Sequence, residues 1–297
     1  MAVLWRALIV LAVVVAVAAC GPAASPPAGG APIPVLGAEN FYADLLAQIG
    51  GSRVTASSIL NDPTADPHEY EASPNAAKLV ADAKVVITNG IGYDDFMQKL
   101  LGASTAPDRV VIDVQEVLGV KDDVNVHVWY DPATMPKVAE AAAAALAKVD
   151  PQNASYYADQ KAKYLATLRP IGDKIASLKA KYAGAPIAFT ENVAGYLTDA
   201  IGLTLLTPPA FMEAIESGTD PAPADVAVAR DLFTGHKVKA LLYNSQVTSP
   251  LTEEIRNLAL QSGVPVVPVA ETIPAGARTF SEWQLAQLDE LEKALAK

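Results

Sequence analysis

Residues 136–182 read PKVAEAAAAALAKVDPQNASYYADQKAKYLATLRPIGDKIASLKAKY. The stretch is rich in Ala and Lys, both strong helix formers, and it is broken only at Asp150-Pro151. It predicts a helix over Pro136–Val149 and a long one over Ser155–Tyr182 with Pro170 inside, where a proline should kink the helix or mark a seam. On either side the pattern is different: short apolar runs alternate with helical stretches. The segment therefore divides the chain into two halves.

Before it, strands are expected at Val35–Ala38, Val54–Ser58, Val85–Thr88 and Arg109–Asp113. Helices are expected at Phe41–Ile49, from Pro74 to about Ala83 with Ser73 as N-cap, and at Asp94–Leu101. After it, strands are expected at Ile187–Thr190, Thr204–Leu206, Ala240–Tyr243 and Val264–Val269. The helices between and after them are Val193–Ile201, Ala222–Phe233, Leu251–Gln261 and Ser281–Ala296. Strands that alternate with helices imply parallel sheets with crossover connections. The fold class is α/β: two lobes of mainly parallel sheet, 35–135 and 184–297, joined by the helical segment 136–183. No sequence repeat relates the lobes. Ligands of open α/β sheets bind at the carboxyl ends of strands, and two lobes offer a cleft between them.

The amino terminus stands apart from this pattern. Ala7–Ala19 is an unbroken run of thirteen apolar residues behind Arg6. That is too short to cross about 30 Å of hydrocarbon but suits a secretory signal over residues 1–19. It ends in Val17-Ala18-Ala19-Cys20, which resembles the lipobox of bacterial lipoproteins, with Cys20 as the lipidation site; the alternative is an ordinary signal with an incidental cysteine. Residues 20–34, rich in Pro and Gly, read as an extended tether. No later segment is long and apolar enough for a membrane span. Without Arg6, the 22 Lys and Arg fall to 21 against 33 Asp and Glu, a net charge of about −12. Such a charge argues against nucleic acid and against an electrostatic grip on anionic lipid. Cys20 is the one cysteine, so the folded region has neither a disulfide nor a thiolate metal site.

No GxxxxGK[ST] loop, GxSxG elbow or HExxH pair is present. Candidate ligands lie instead at strand ends or in the loops after them: His68, His127, Glu191 and Glu271. Each has a plainer reading. His68, in Asp66-Pro67-His68-Glu69-Tyr70-Glu71, could be a solvated loop histidine. His127 alternates with apolar residues and could be a strand histidine bonded to backbone. Glu191 could serve a helix N-terminus, and Glu271 could be a solvated loop acid. His236, beside Lys237, reads as surface.

Several stretches together resemble the metal-binding lipoproteins of bacterial ABC importers for zinc, manganese or iron. They are Gly37-Ala38-Glu39-Asn40-Phe41-Tyr42, Asp66–Glu71, Asn89-Gly90-Ile91-Gly92-Tyr93-Asp94, His127-Val128-Trp129-Tyr130-Asp131-Pro132, Thr190-Glu191-Asn192-Val193-Ala194-Gly195-Tyr196 and Glu271-Thr272-Ile273-Pro274. The resemblance implies two lobes joined by a rigid long helix, with a metal site in the cleft between them. It implies His68 and His127 as ligands from the first lobe. Glu191 falls where zinc members often carry His and manganese or iron members often carry Glu. Glu271 falls where an acidic residue, commonly Asp, completes the site; the extra methylene could change mono- to bidentate binding. The segment Lys121–Val124 lacks the His-rich loop of many zinc members. Two imidazoles with two carboxylates move preference from Zn2+ towards Mn2+ or Fe2+, although intrinsic affinity favours Zn2+ over Mn2+. Asp66 or Glu69 could orient the histidines.

The function expected is an extracytoplasmic solute-binding lipoprotein, anchored by lipid to the cell membrane. It would capture one divalent metal, Mn2+ or Zn2+ with Fe2+ possible, and deliver it to an ABC permease driven by a separate ATPase. It would act as a monomer and catalyse no reaction. The alternatives are a surface metallohydrolase, which needs an open coordination position, and a metal-independent adhesive or structural lipoprotein.

Overall fold

The computed structural model describes residues 31–65 and 67–297. The expected signal 1–19, Cys20 and most of the tether lie outside the described residues. Strand β1 (Ile33–Glu39) starts early, so Ile33 and Pro34, expected in the tether, belong to a sheet. It leads into helix α1 (Asn40–Gly50), which buries Phe41, Leu45, Leu46 and Ile49. Gly51, at φ 53°, turns the chain in a conformation that costs a residue without Cβ little and leads towards β2 (Val54–Leu60). In α2 (Pro74–Asp82) the expected cap forms: Ser73 Oγ accepts the Ala76 N–H at 3.2 Å, with Pro74 at the first helical position. Then come β3 (Val85–Thr88), α3 (Asp95–Ala103), β4 (Val110–Asp113) and α4 (Val114–Leu118). Helix α4 carries no signal in the sequence, because its five residues are too few to show a period.

Helix α5 (Thr134–Val149) packs on the helix that follows it, Ala154–Tyr182, and also on α1, β3, β4 and α4 of the first lobe. Helix α6 (Ala154–Tyr182) runs 29 residues and continues through Pro170. Pro170 and Ala166, whose carbonyl loses its N–H partner, are both exposed, so that carbonyl is open to solvent. The second half comprises β5 (Pro186–Phe189), α7 (Gly195–Ile201), β6 (Thr204–Leu205), α8 (Pro209–Glu216), α9 (Pro223–Thr234), β7 (Ala240–Asn244), α10 (Pro250–Gln261), β8 (Val266–Val269) and α11 (Phe280–Leu295). Helix α8 was also unexpected: Pro209, at its first position, starts a helix that buries Phe211, Met212 and Ile215. Helix α7 begins two residues later than its apolar pattern, after a tight turn in which the Val193 N–H donates to the Glu191 carbonyl at 2.8 Å.

The strands form two four-stranded sheets, ordered β2-β1-β3-β4 and β6-β5-β7-β8, and every pair is parallel. The two lobes thus share a strand order without sharing sequence. In β1 both faces are covered, Val35 by one apolar cluster and Leu36 and Ala38 by another, as parallel sheets require. The larger cluster continues through both lobes, from Phe41, Trp129 and Tyr130 to Phe189, Leu241 and Trp283. Helix α6 lies against it with Tyr157, Tyr164, Ile175 and Leu178, and it packs on α1, α5, α7 and α11. It is therefore part of the core that binds the lobes together. Among the described residues, no helix is long and apolar enough to cross a membrane.

Candidate metal centre

His68, His127, Glu191 and Glu271 meet. One donor atom from each lies within 4.8 Å of the others. His68 Nε2 is 3.4 Å from Glu191 Oε1 and 3.4 Å from Glu271 Oε2. His127 Nε2 is 3.6 Å and 3.2 Å from the same two oxygens. His236 is not among them; it lies exposed in the turn after α9.

Local sequence explains each placement. After β2, Asp62 Oδ1 accepts the Thr64 N–H at 2.9 Å, an Asx turn that redirects the chain towards the short turn Pro67–Glu69 carrying His68. Its imidazole is 22% exposed, whereas the other three side chains are fully covered. His127 is a loop residue, not a strand residue. It precedes the one-turn helix Val128–Tyr130, which the buried Trp129 and Tyr130 anchor in the core. Glu191 and Glu271 each stand two residues past a strand, β5 and β8. Glu191 lies four residues ahead of α7 with its carboxylate turned to the imidazoles, and Glu271 is buried rather than solvated.

Four residues that the sequence reading did not assign hold this cluster. Asn125 Oδ1 lies 2.7 Å from His127 Nδ1, while its Nδ2 donates to the Asn192 carbonyl at 2.7 Å. Asn244 Nδ2 donates to Glu191 Oε2 at 2.7 Å and to Glu271 Oε1 at 2.8 Å. The Tyr93 hydroxyl donates to Glu271 Oε2 at 3.0 Å. Gln246 Oε1 accepts the Glu271 N–H at 2.6 Å, and its Nε2 donates to the Ala65 carbonyl at 2.9 Å. It thereby ties the loop of His68 to the segment of Glu271. Tyr93 stands inside a stretch already singled out and Asn125 two residues before another; Asn244 and Gln246 carry no signal in the sequence beyond their nearness to a strand end. Asp66 and the side chain of Glu69 lie outside the described residues. The lobes are further joined by Asn40, whose amide exchanges two hydrogen bonds with the Ile273 backbone, at 2.8 Å and 3.2 Å.

Two buried carboxylates beside two imidazoles shift one another's ionisation. Burial pushes the His68 imidazole down, but its hydrogen bonds with Glu191 and Glu271 outweigh that and raise it from 6.5 to about 11. Burial likewise lowers and Glu271 raises His127, with a net rise. Burial would raise Glu271, yet the two histidines hold it well below the usual carboxylate range. Glu191 is raised, first by burial and then by the charge of Glu271. The cluster reaches neutrality with two imidazolium ions against two carboxylates. Neutral imidazoles around a divalent cation would reach it equally well, so the geometry suits exchange of imidazole protons for a metal ion.

The family model described as zinc-uptake complex component A, periplasmic, matches residues 35–294. The manganese-binding lipoprotein of Halalkalibacterium halodurans is 23% identical over 273 residues, covering 87% of this chain and 87% of its own. The high-affinity zinc uptake system protein of Bacillus subtilis is 23% identical over 220 residues, covering 66% of this chain and 67% of its own. Among solved structures, the periplasmic zinc-binding protein of Treponema pallidum superposes with a TM-score of 0.75 at 17% identity, over 90% of this chain and 100% of that one. At that identity the likeness establishes the fold.

Proposed function

The chain belongs to the zinc-uptake complex component A family, and from that premise we propose that it captures a divalent transition metal, Mn2+ or Zn2+, outside the cytoplasm. It then delivers the ion to the permease of an ABC importer, whose separate ATPase supplies the energy. The family is made of solute-binding proteins, and this member acts as carrier rather than catalyst. One observation carries the reading: two imidazole nitrogens and two carboxylate oxygens from both lobes converge on one buried point. His68, His127, Glu191 and Glu271 are the ligands. His68, the ligand that reaches solvent, is where the ion enters and leaves. Cys20 carries the lipid that holds the protein at the membrane, and the protein works as a monomer.

A hydrolytic centre needs an open coordination position beside a general base. Here all four groups converge on a single point, which favours holding over turnover. A metal-independent structural role gives no reason to bury two carboxylates against two histidines, since burying charge is costly. The test is metal content of the purified protein, where one ion per chain is expected. Full metal binding after His68→Ala with His127→Ala would remove the assignment.

A further inference from the structure

Asn244 ends β7, the strand that lies between β5 and β8. The register sets Phe189 beside Leu242 and Val269 beside Asn244. Glu191 and Glu271, each two residues past its own strand, therefore flank Asn244 on opposite sides. The orientation of its amide is determined by its neighbours. The Gln246 N–H donates to Asn244 Oδ1 at 3.0 Å, so Nδ2 must face the carboxylates. Its two hydrogens occupy Glu191 Oε2 and Glu271 Oε1. The oxygens left over, Glu191 Oε1 and Glu271 Oε2, are the two that face both imidazoles. Glu191 Oε1 is buried and has no partner nearer than the two imidazole nitrogens, at 3.4 and 3.6 Å, so it is open to an ion placed between them. Glu271 Oε2 accepts from the Tyr93 hydroxyl on one side and turns its other lone pair to the imidazoles, with His127 Nε2 at 3.2 Å.

We propose that Asn244 confines both glutamates to one-oxygen ligation and so fits the site to a four-coordinate, tetrahedral ion, favouring Zn2+ over Mn2+. This rests on the metal-capture reading above. Four donor atoms are gathered in this way, one from each side chain, with nitrogen–oxygen separations of 3.4, 3.4, 3.6 and 3.2 Å and no two donors more than 4.8 Å apart, the donor number of a four-coordinate site. Mn2+ prefers more oxygen ligands in octahedral array. It would need a second oxygen from one or both carboxylates, and Asn244 holds those.

The experiment uses the full chain stripped of metal, with Co2+ as a spectroscopic probe and with Zn2+ and Mn2+ in separate titrations. Tetrahedral Co2+ absorbs visible light far more strongly than octahedral Co2+. The native protein should give the intense spectrum, and Asn244→Ala the weak one. Asn244→Ala should also lower Zn2+ affinity by about 10–100-fold while Mn2+ affinity holds or rises. Asn244→Ser, which keeps one donor, should fall between. Equal losses for both metals would mean that Asn244 is merely structural and would overturn the proposal. A weak Co2+ spectrum from the native protein would overturn it even if no variant folds. A native protein that binds none of the three ions would instead refute the metal-capture reading itself.

Discussion

Asn125 Oδ1 accepts two hydrogen bonds from His127, from its backbone N–H at 3.0 Å and from Nδ1 at 2.7 Å. The amide cannot flip without losing the bond from its Nδ2 to the Asn192 carbonyl. Nδ1 of His127 is therefore the donor, and Nε2 is left to face Glu191 and Glu271. Outer partners of ligating histidines typically matter by 10–100-fold in metal affinity. Asn125→Leu is expected to weaken metal binding by about that factor in calorimetric titration. An unchanged affinity would show that the ring needs no such partner.

The carboxylates raise both imidazoles, His68 to about 11, so an incoming ion must displace the His68 proton. Binding at pH 7 should release at least the His68 proton, seen as a dependence of the calorimetric heat on the buffer's ionisation enthalpy. Heats independent of buffer would contradict the charge exchange. The sign for the metal-free fold follows from linkage. His68 stands near 11 when folded against 6.5 in the open chain, so its stabilisation is complete below pH 6.5 and is lost as pH climbs towards 11. Metal-free melting temperature should thus fall between about pH 6.5 and 9 while metal affinity rises over the same range.

How much was visible beforehand depended on how local each signal was. Val85–Thr88 was read to the residue because it is a buried apolar run between Lys84 and Asn89. The long helix and the Ser73 cap are likewise written in neighbouring residues. Glu191 and Glu271 stood out because they follow apolar strands. The number of oxygens each offers was illegible, because Asn244 stands 53 and 27 residues away from them and meets them only through the strand order. His127 looked like a strand residue for the opposite reason: local alternation of apolar neighbours was real, but it serves a buried turn. Ile33 and Pro34 were lost to the tether because proline-rich composition masked the start of β1.

A ligand that binds only the folded state stabilises it by mass action. At 100-fold its Kd the captured ion should add about 2.7 kcal/mol. For a fold of this size that is a rise in Tm of roughly 5–10 °C. The double variant His68→Ala with His127→Ala should show no metal-dependent rise in differential scanning calorimetry. A rise that persists would place the ion elsewhere.

Gly172 lies inside α6, and a Cβ built there meets no atom within 4 Å. Glycine in a helix interior costs about 0.8–1.0 kcal/mol relative to alanine. Gly172→Ala should therefore raise stability by about that amount in urea titration and leave metal affinity unchanged. A loss of stability would mean that α6 uses the glycine for bending.

Glu191 is the proposed ligand whose chemistry is easiest to change while the other three side chains stay in place. Glu191→His would replace an oxygen donor with a nitrogen and remove one of the two carboxylates that Asn244 bridges. Nitrogen-rich sets favour Zn2+ over the harder Mn2+. The loss of one buried negative charge also weakens the hold on any divalent cation, and it falls hardest on the ion that gains least from imidazole. Competition titration of Zn2+ against Mn2+ should show the ratio of affinities move further towards zinc, with Mn2+ binding reduced in absolute terms. An unchanged ratio would mean that the third ligand has no part in selectivity, and that the Asn244 contact with Glu271 is the half of the clamp that matters.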